Sequence, residues 1–220
     1  MRLLIVNPNT SAGVTARIDA AAQAVAMPGD RFVTISAAFG PSLIVTDTDA
    51  QEATQGVLAA IARHQEPIDG IVLASFGDTG AAQVRAAWPA LSVMGIAEAA
   101  FADAAEIGGP FAIVTFAPEV IASLVARATL HGLGDALLRV ATLAEPLHHD
   151  PAEVADVMAA QLQALCNECA SEGARSIVMG GGPLAGLARQ LAPHCSVPII
   201  DGTQSAVGRL RAIIAARRSA

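Results

Sequence analysis

The chain of 220 residues contains no lysine and no tyrosine, and aromatic residues make up only 3% of it. Without lysine it cannot form the Schiff base of pyridoxal phosphate enzymes or build a phosphate-binding P-loop. The scarcity of aromatic rings removes the stacking surface that single-stranded nucleic acid requires. Because the net charge is also −7, we do not expect nucleic acid as a partner.

Long apolar runs are missing as well. No run reaches the roughly 18 to 20 residues that a membrane span requires, so no membrane partner is expected. The opening MRLLIVNPNTS holds a short apolar run that ends at once in Asn-Pro-Asn, which indicates a first strand rather than a signal peptide. We therefore expect a cytoplasmic protein. With 53% hydrophobic residues, the chain can bury a substantial core.

Cysteine is scarce, and its count is odd: the three are Cys166, Cys169 and Cys195. A low, odd count suggests reduced thiols. Cys166 and Cys169 form a CxxC motif, which is either a zinc or redox site or two small residues on one face of a long helix. Because the pair lies within a helix rather than on a zinc-binding turn, we favour the second interpretation and expect no metal.

The most informative stretches are GIVLASFGDTG at 70–80 and GARSIVMGGGPLAG at 173–186. Each predicts a short strand covered on both faces, followed by a turn of small residues that opens a helix. Small residues let a ligand approach the backbone, and free amides at a helix start can receive an anion. We expect the two turns to face each other as the walls of one active site.

These stretches belong to an internal repeat of strand, turn and helix. Nearly equal steps separate the predicted strands of the two halves, and in this register Ser75 is the counterpart of Gly181. The strand centres are Ile5, Val33, Val72 and Met94 in the first half, and Ile113, Val140, Val178 and Ile199 in the second.

Strands that alternate with helices predict an α/β fold with parallel sheets. We expect two Rossmann-like or flavodoxin-like halves, 1–97 plus 205–220 and 98–204, related by a pseudo-twofold axis. The active-site cleft then lies between them, beyond the carboxyl ends of the strands. Helices are expected at about 11–26, 49–64, 80–87, 98–106, 118–131, 151–172 (with Asp150 as cap and Pro151 in the first turn), 184–191 and 203–218.

The strand-end turns supply the candidate catalytic residues. Ser75 is a nucleophile, an oxyanion donor or a substrate contact, or simply a small residue that lines a turn. A nucleophilic serine requires a base, and none of the histidines falls in a strand-end turn. Asp78 is an acid or base, or the cap of the helix that follows it, which we favour. His148 and His149 lie in a polar loop that is either a lid or simply solvated.

The motifs NPNTS at 7–11, FGDTG at 76–80 and GIAEAA at 95–100 resemble the aspartate/glutamate racemase superfamily, specifically its hydantoin racemase branch. The resemblance covers nearly the whole chain. It implies cofactor-independent chemistry at the carbon next to a carboxylate or ring carbonyl, with a small carboxylate or hydantoin-like substrate and a possible homo-oligomer. In the family, two cysteines from opposite halves move protons on the two faces of an enolate, whose oxygen is stabilised by backbone amides.

Residues of the turns are expected to bind the substrate, several of them as donors to its carboxylate or imide oxygen, although turn formation and capping also explain them. These substrate-binding candidates are Asn7, Asn9, Thr10, Ser11, Ser42, Phe76, Gly77, Thr79, Glu98, Thr115, Phe116, Gly180, Gly182 and Pro183.

The positions of the two family cysteines are Ser75 and Gly181 in this chain, so the two-thiol mechanism cannot operate. Three hypotheses follow. The chain is an isomerase that acts at an α-carbon through other groups, such as Asp78 or Glu98 with water. Alternatively it is a hydrolase or a decarboxylase-like lyase that uses Ser75 or an activated water. The third possibility is a non-catalytic protein that binds small carboxylates.

Overall fold

A computed structural model describes residues 1–143 and 150–219 of the chain. His148 and His149, for which the sequence left open a lid or a simply solvated loop, lie outside the described residues.

The protein is built on two four-stranded parallel sheets. In each sheet the first and third strands of the half lie side by side, and the second and fourth strands form the edges. The predicted α/β fold with two similar halves is therefore confirmed. The first sheet has the order β2-β1-β3-β4, with β1 Arg2–Asn7, β2 Arg31–Ser36, β3 Gly70–Leu73 and β4 Ser92–Gly95. The second has the order β6-β5-β7-β8, with β5 Phe111–Val114, β6 Leu137–Ala141, β7 Ser176–Met179 and β8 Ile199–Asp201.

Helices connect the strands and cover the sheets. They are α1 Ala12–Gln23, α2 Asp47–Arg63, α3 Ala81–Ala87, α4 Ile96–Ile107, α5 Ile121–Leu130, α6 Val154–Val157, α7 Ala159–Ser171, α8 Leu187–Leu191 and α9 Gly202–Ser219. No helix among the described residues is both long enough and apolar enough to cross a membrane.

One apolar core joins the two sheets. Ile5 and Val72 of the first sheet share a buried cluster with Ile113 and Val178 of the second, together with residues of α1, α4 and α9. The final helix α9 packs on α1, α4 and β4. The alternate residues of β1, such as Leu4, pack instead against α2 and α3 on the outer face. Burial on both faces explains why the central strands are continuously apolar. The division of the chain into halves at 97 and 204 remains a prediction.

Two of the strand centres predicted from the repeat, both in edge strands, are displaced by one residue from the positions that pair in the structure. Thr34, not Val33, pairs with Ile5, and Ile200, not Ile199, pairs with Val178. An edge strand has only one neighbouring strand to fix its register. In β2, the apolar residue taken as the strand centre, Val33, is 37% exposed. Apolar character was therefore a poor guide to position in these edge strands.

The helix predicted over 151–172 was wrong in its bounds. The chain forms two helices, α6 and α7, separated at Met158. Pro151 lies in a turn before α6, where the Asp150 carboxylate accepts a hydrogen bond from the Ala152 amide at 2.9 Å. Asp150 therefore closes a turn instead of capping a helix.

Candidate active site

A cavity of about 1120 Å³ opens at the carboxyl ends of the strands. Its walls include parts of the turns that follow β1, β3, β5 and β7, the central pair of strands in each sheet. These are the points where the strand order reverses, at which open α/β sheets bind their ligands. The four contributions are Asn9, Ala74–Ala82, Thr115–Ala117 and Gly180–Pro183.

The turns after β3 and β7 touch each other. A Cβ atom built on Gly182 would lie 3.0 Å from the carbonyl oxygen of Ala74. A Cβ on Gly181 would lie 3.1 Å from Cε1 of Phe116, and the φ angle of Gly181 is 152°. The approach of the two backbones therefore depends on glycine. Ser75 and Gly181, the counterparts in the repeat, line the same cavity.

The lining includes most of the residues singled out from the sequence. The three catalytic candidates, which are Ser75, Asp78 and the family-cysteine position Gly181, all line the cavity. So do ten substrate-binding candidates: Asn9, Phe76, Gly77, Thr79, Glu98, Thr115, Phe116, Gly180, Gly182 and Pro183.

Four candidates lie outside the lining: Asn7, Thr10, Ser11 and Ser42. The fully buried Asn7 amide donates to Asn9 Oδ1 at 2.8 Å and to Thr15 Oγ1 at 2.9 Å. Ser11 caps α1 by accepting from the amide of Val14. The side chains of Asn7 and Ser11 thus shape the loop after β1.

The Ser75 hydroxyl is engaged within its own turn. It donates to Thr79 Oγ1 at 3.0 Å and accepts from the Thr79 amide at 3.1 Å. No histidine or carboxylate among the described residues lies within hydrogen-bond distance of Ser75 Oγ. An unactivated hydroxyl is a weak nucleophile.

Asp78 does cap a helix, but not the one predicted. Its carboxylate accepts hydrogen bonds from the amides of Ala97 at 3.0 Å and Glu98 at 3.1 Å, which begin α4. The helix that follows, α3, begins at Ala81, and Gly80 before it provides no side-chain cap. Asp78 is the one non-glycine residue of the described chain with a positive φ, 47°. Asp tolerates this left-handed conformation better than most residues, and here it turns the carboxylate towards β4.

Two cavity-lining residues that sequence reasoning missed lie in the last turn of α5 and directly after it. His131 follows the last residue of this helix, and its Nε2 atom lies 3.6 Å from Asp78 Oδ2. Arg127, one turn earlier, donates a hydrogen bond to the Gly77 carbonyl. The spacing of four between Arg127 and His131 places both on one helix face, and that spacing was the available signal. It gave no indication that the face points at the turn after β3.

A second charged pair lies at the same cavity. Arg85 of α3 forms an ion pair with Glu98, whose side chain is 34% exposed. Glu98 is also the third residue of α4, so its carboxylate lies near the positive end of that helix. The Glu98 carboxylate is therefore engaged by Arg85 at the edge of the cavity.

Several backbone N–H groups of the turns are free. Among the described residues, the amides of Phe76, Gly77, Phe116 and Gly182 have no hydrogen-bond partner. All four residues line the cavity. Unpaired amides around a cavity are suited to hold an oxyanion.

The thiols lie elsewhere. Cys166 and Cys169 are fully buried among core residues between α7 and the second sheet. Burial raises the pKa of Cys166 to about 12 and also raises the pKa of Cys169. None of the three cysteines lines the cavity, and no group of three potential metal ligands occurs among the described residues.

Comparison with known proteins assigns the family. The model of the Asp/Glu/hydantoin racemase family matches residues 3–210. The chain belongs to the Asp/Glu/hydantoin racemase family. A hydantoin racemase from Paenarthrobacter aurescens is 31% identical over 226 aligned positions, which cover 98% of this chain and 92% of that protein. The branch expected from the sequence is thereby confirmed.

Solved structures of the racemase family agree with this fold. Allantoin racemase from Klebsiella pneumoniae is 32% identical, with a TM-score of 0.89 over 99% of this chain and 89% of that one. A glutamate racemase from Francisella tularensis subsp. tularensis is 14% identical, with a TM-score of 0.67 over 99% and 81% of the two chains. At that identity the likeness concerns the fold alone.

Proposed function

We propose that this racemase-family protein is a cofactor-independent enzyme that acts at the carbon next to a carboxylate or imide carbonyl. Its substrate is a small hydantoin-like ring or amino acid, and its proton transfers use groups other than thiols. The observation that supports the proposal is the cavity at which two strand-end turns meet, because its described lining has amides without hydrogen-bond partners and contains no cysteine.

The chemistry at such a carbon is an enolisation. A base removes the α-proton, the electron pair of the C–H bond moves onto the carbonyl oxygen, and the resulting enolate is later protonated at carbon. The free amides of Phe76, Gly77, Phe116 and Gly182 are the groups that would stabilise the enolate oxygen. Ser75 supports this frame through Thr79 instead of attacking the substrate.

The two walls differ in their capacity to move protons. Residues 180–183 are three glycines and a proline, none of which has a side chain that can donate or accept a proton. The turn after β3 carries Ser75, Asp78 and Thr79, and His131 lies beside it. Inversion requires an acid and a base on opposite faces of the enolate. We therefore expect proton exchange at the α-carbon to be faster than inversion.

The same asymmetry favours a lyase as the second candidate. In decarboxylation the bond between the α-carbon and a carboxylate breaks, CO₂ leaves, and the electron pair forms the enolate. One donor on one face then completes the reaction. The three glycines at 180–182 have no side chains to obstruct a departing CO₂, and on this account the substrate would be of the malonate type.

The test is incubation in heavy water with a panel of 5-substituted hydantoins, allantoin, free amino acids and disubstituted malonates. Nuclear magnetic resonance follows α-deuterium, chiral chromatography follows inversion, and released CO₂ is measured directly. We expect enzyme-dependent exchange or CO₂ release with little inversion. Thermal stabilisation by a panel compound without exchange or CO₂ release from any of them would instead identify a binding protein.

A further inference from the structure

One pair of side chains joins the two halves of the protein at the cavity. Asp78 belongs to the turn after β3, whereas His131 lies at the end of α5, which follows β5. The atoms Asp78 Oδ2 and His131 Nε2 are 3.6 Å apart, and both residues line the cavity. This distance is slightly longer than a hydrogen bond.

The carboxylate of this pair is held firmly. Two amides of α4 donate to it, and a Cβ on Gly95 would lie 2.0 Å from Asp78 Oδ1, so the neighbouring backbone packs directly against the carboxyl group. The Asp78 side chain is only 5% exposed. With so little freedom, the carboxylate presents Oδ2 to the imidazole in a fixed orientation.

The imidazole is less completely engaged. The His131 ring packs at 46° to the Phe101 ring, with centroids 5.4 Å apart, and Phe101 in turn contacts Phe76 of the turn after β3. Its Nε2 atom is buried without a hydrogen-bond partner, although the side chain as a whole is 25% exposed. The second nitrogen, Nδ1, makes no hydrogen bond within the described part of the chain and is not among its buried unpaired atoms.

We propose that His131 is the group that exchanges the substrate's α-proton, and that Asp78 is a positioning residue which holds the proton of the neutral imidazole on Nε2. This inference rests on the proposed function and adds its proton-transfer group. A movement of about half an ångström brings Nε2–H to Asp78 within hydrogen-bond distance, a common adjustment when a substrate binds. The lone pair of Nδ1 is then free to act as a base.

The proton transfer between the substrate's α-carbon and His131 requires no group other than those of the cavity and the solvent. Nδ1 takes the α-proton, the C–H electron pair moves to the carbonyl oxygen, and the imidazolium that forms is stabilised by the Asp78 carboxylate. The imidazolium then exchanges this proton with solvent, and delivery of a solvent-derived proton or deuteron from Nδ1 to the carbon regenerates the neutral ring. Because one group both takes and returns the proton on one face, solvent deuterium enters without inversion.

Other charged groups around the cavity do not replace Asp78. Glu98 is paired with Arg85, and Arg127 is bound to the Gly77 carbonyl. Asp47 and Glu52 of α2 also line the cavity, yet neither forms an ion pair with His131. In the described structure, Asp78 is thus the one carboxylate within ion-pair distance of the imidazole.

The first test compares His131→Gln with His194→Gln, which changes an exposed histidine outside the cavity lining. We expect His131→Gln to slow deuterium exchange by about 10²-fold or more, and His194→Gln to leave it within about twofold. Equal melting temperatures of both variants and the wild type establish that the fold is intact. Exchange that survives His131→Gln would overturn the inference while the proposed function stands.

The second test does not depend on activity. Nitrogen-15 chemical shifts of the ring, assigned by comparison with His131→Gln, report which nitrogen carries the proton. We expect the Nε2–H tautomer in the wild type and loss of that preference in Asp78→Asn. An Nδ1–H tautomer in the wild type would contradict the role of Asp78. A wild type that neither exchanges the α-proton of any panel compound nor releases CO₂ would overturn the proposed function and the catalytic role of His131 together.

Discussion

Asp78 reaches across the end of β4 because residue 95 is glycine. A Cβ on Gly95 would lie 2.0 Å from Asp78 Oδ1 and 2.3 Å from its Cγ. Atoms that are not bonded to each other cannot approach so closely. The space left by this glycine lets the Asp78 carboxylate accept from the first amides of α4 and lie beside His131. Helix capping and the geometry of the cavity therefore depend on one missing methyl group.

Gly95→Ala should destabilise the protein by about 2 to 3 kcal/mol, because the displaced carboxylate leaves the amides of Ala97 and Glu98 without their acceptor. Urea unfolding measures the loss. Gly208→Ala is the matched control, since Gly208 lies in α9 with no atom within 4 Å of its built Cβ, and alanine there should stabilise the helix by up to about 1 kcal/mol. Equal stability of Gly95→Ala and the wild type would contradict the capping role.

Gly181→Ala should cost about 1 to 3 kcal/mol, because its φ of 152° is unfavourable for other residues and its Cβ would press on Phe116. Gly77→Ala provides the comparison. Its φ is ordinary and its closest Cβ contact is 3.4 Å, to Thr79 Oγ1. Similar melting temperatures for the two variants would show that the turn after β7 is not constrained as described. The same strain applies to a cysteine at 181, so Ser75→Cys with Gly181→Cys should restore inversion only if this turn rearranges.

Ser75→Ala should keep at least about a tenth of the exchange activity, because the hydroxyl is bonded to Thr79 and contacts no base. Initial rates in heavy water measure this, with Ser123→Ala as a control at another cavity-lining serine. Complete loss of turnover in Ser75→Ala alone would support the hydrolase hypothesis instead.

Stability should fall as the pH rises from about 9 to about 12. Burial raises the pKa of Cys166 from 9.0 to about 12, so over this range the unfolded chain loses a proton that the folded chain retains. One such group lowers the free energy of unfolding by about 1.4 kcal/mol per pH unit, and this contribution is fully present only below pH 9. The chain has neither lysine nor tyrosine to titrate in this window.

Urea unfolding at several alkaline pH values measures the slope. Cys166→Ala should reduce this slope more than Cys195→Ala does, because burial is the main cause of the raised pKa of Cys166 and the Cys195 thiol acts on it only as a neighbouring charge. A slope that is identical in Cys166→Ala and the wild type would contradict the assignment to this thiol.

The sequence was sufficient to predict the central strands and the two facing turns. Strands such as Gly70–Leu73 and Ser176–Met179 are short apolar runs between small residues, and their burial on both faces leaves a strong local pattern. Parallel strands then bring their end turns to one edge of the sheet, which is why Ser75 and Gly181 could be placed at a common cavity.

The partners of Asp78 could not be predicted in this way. In the second half only part of the equivalent cap is local: Asp201 ends β8 and accepts from the Gln204 amide near the start of α9, and it also accepts from the Gly186 amide before α8. In the first half the cap arrives from another turn, and His131 arrives from another helix. Such contacts depend on how the elements pack, and no short-range spacing in the sequence encodes them.

The account depends on a substrate carbonyl held between the turns after β3 and β7. A crystal structure with a bound 5-substituted hydantoin tests this most directly. We expect one carbonyl oxygen within hydrogen-bond distance of the free amides of Phe76, Gly77, Phe116 or Gly182, with the α-carbon facing His131. A ligand bound outside residues 74–82 and 180–183, or one whose α-carbon faces a cysteine, would contradict it.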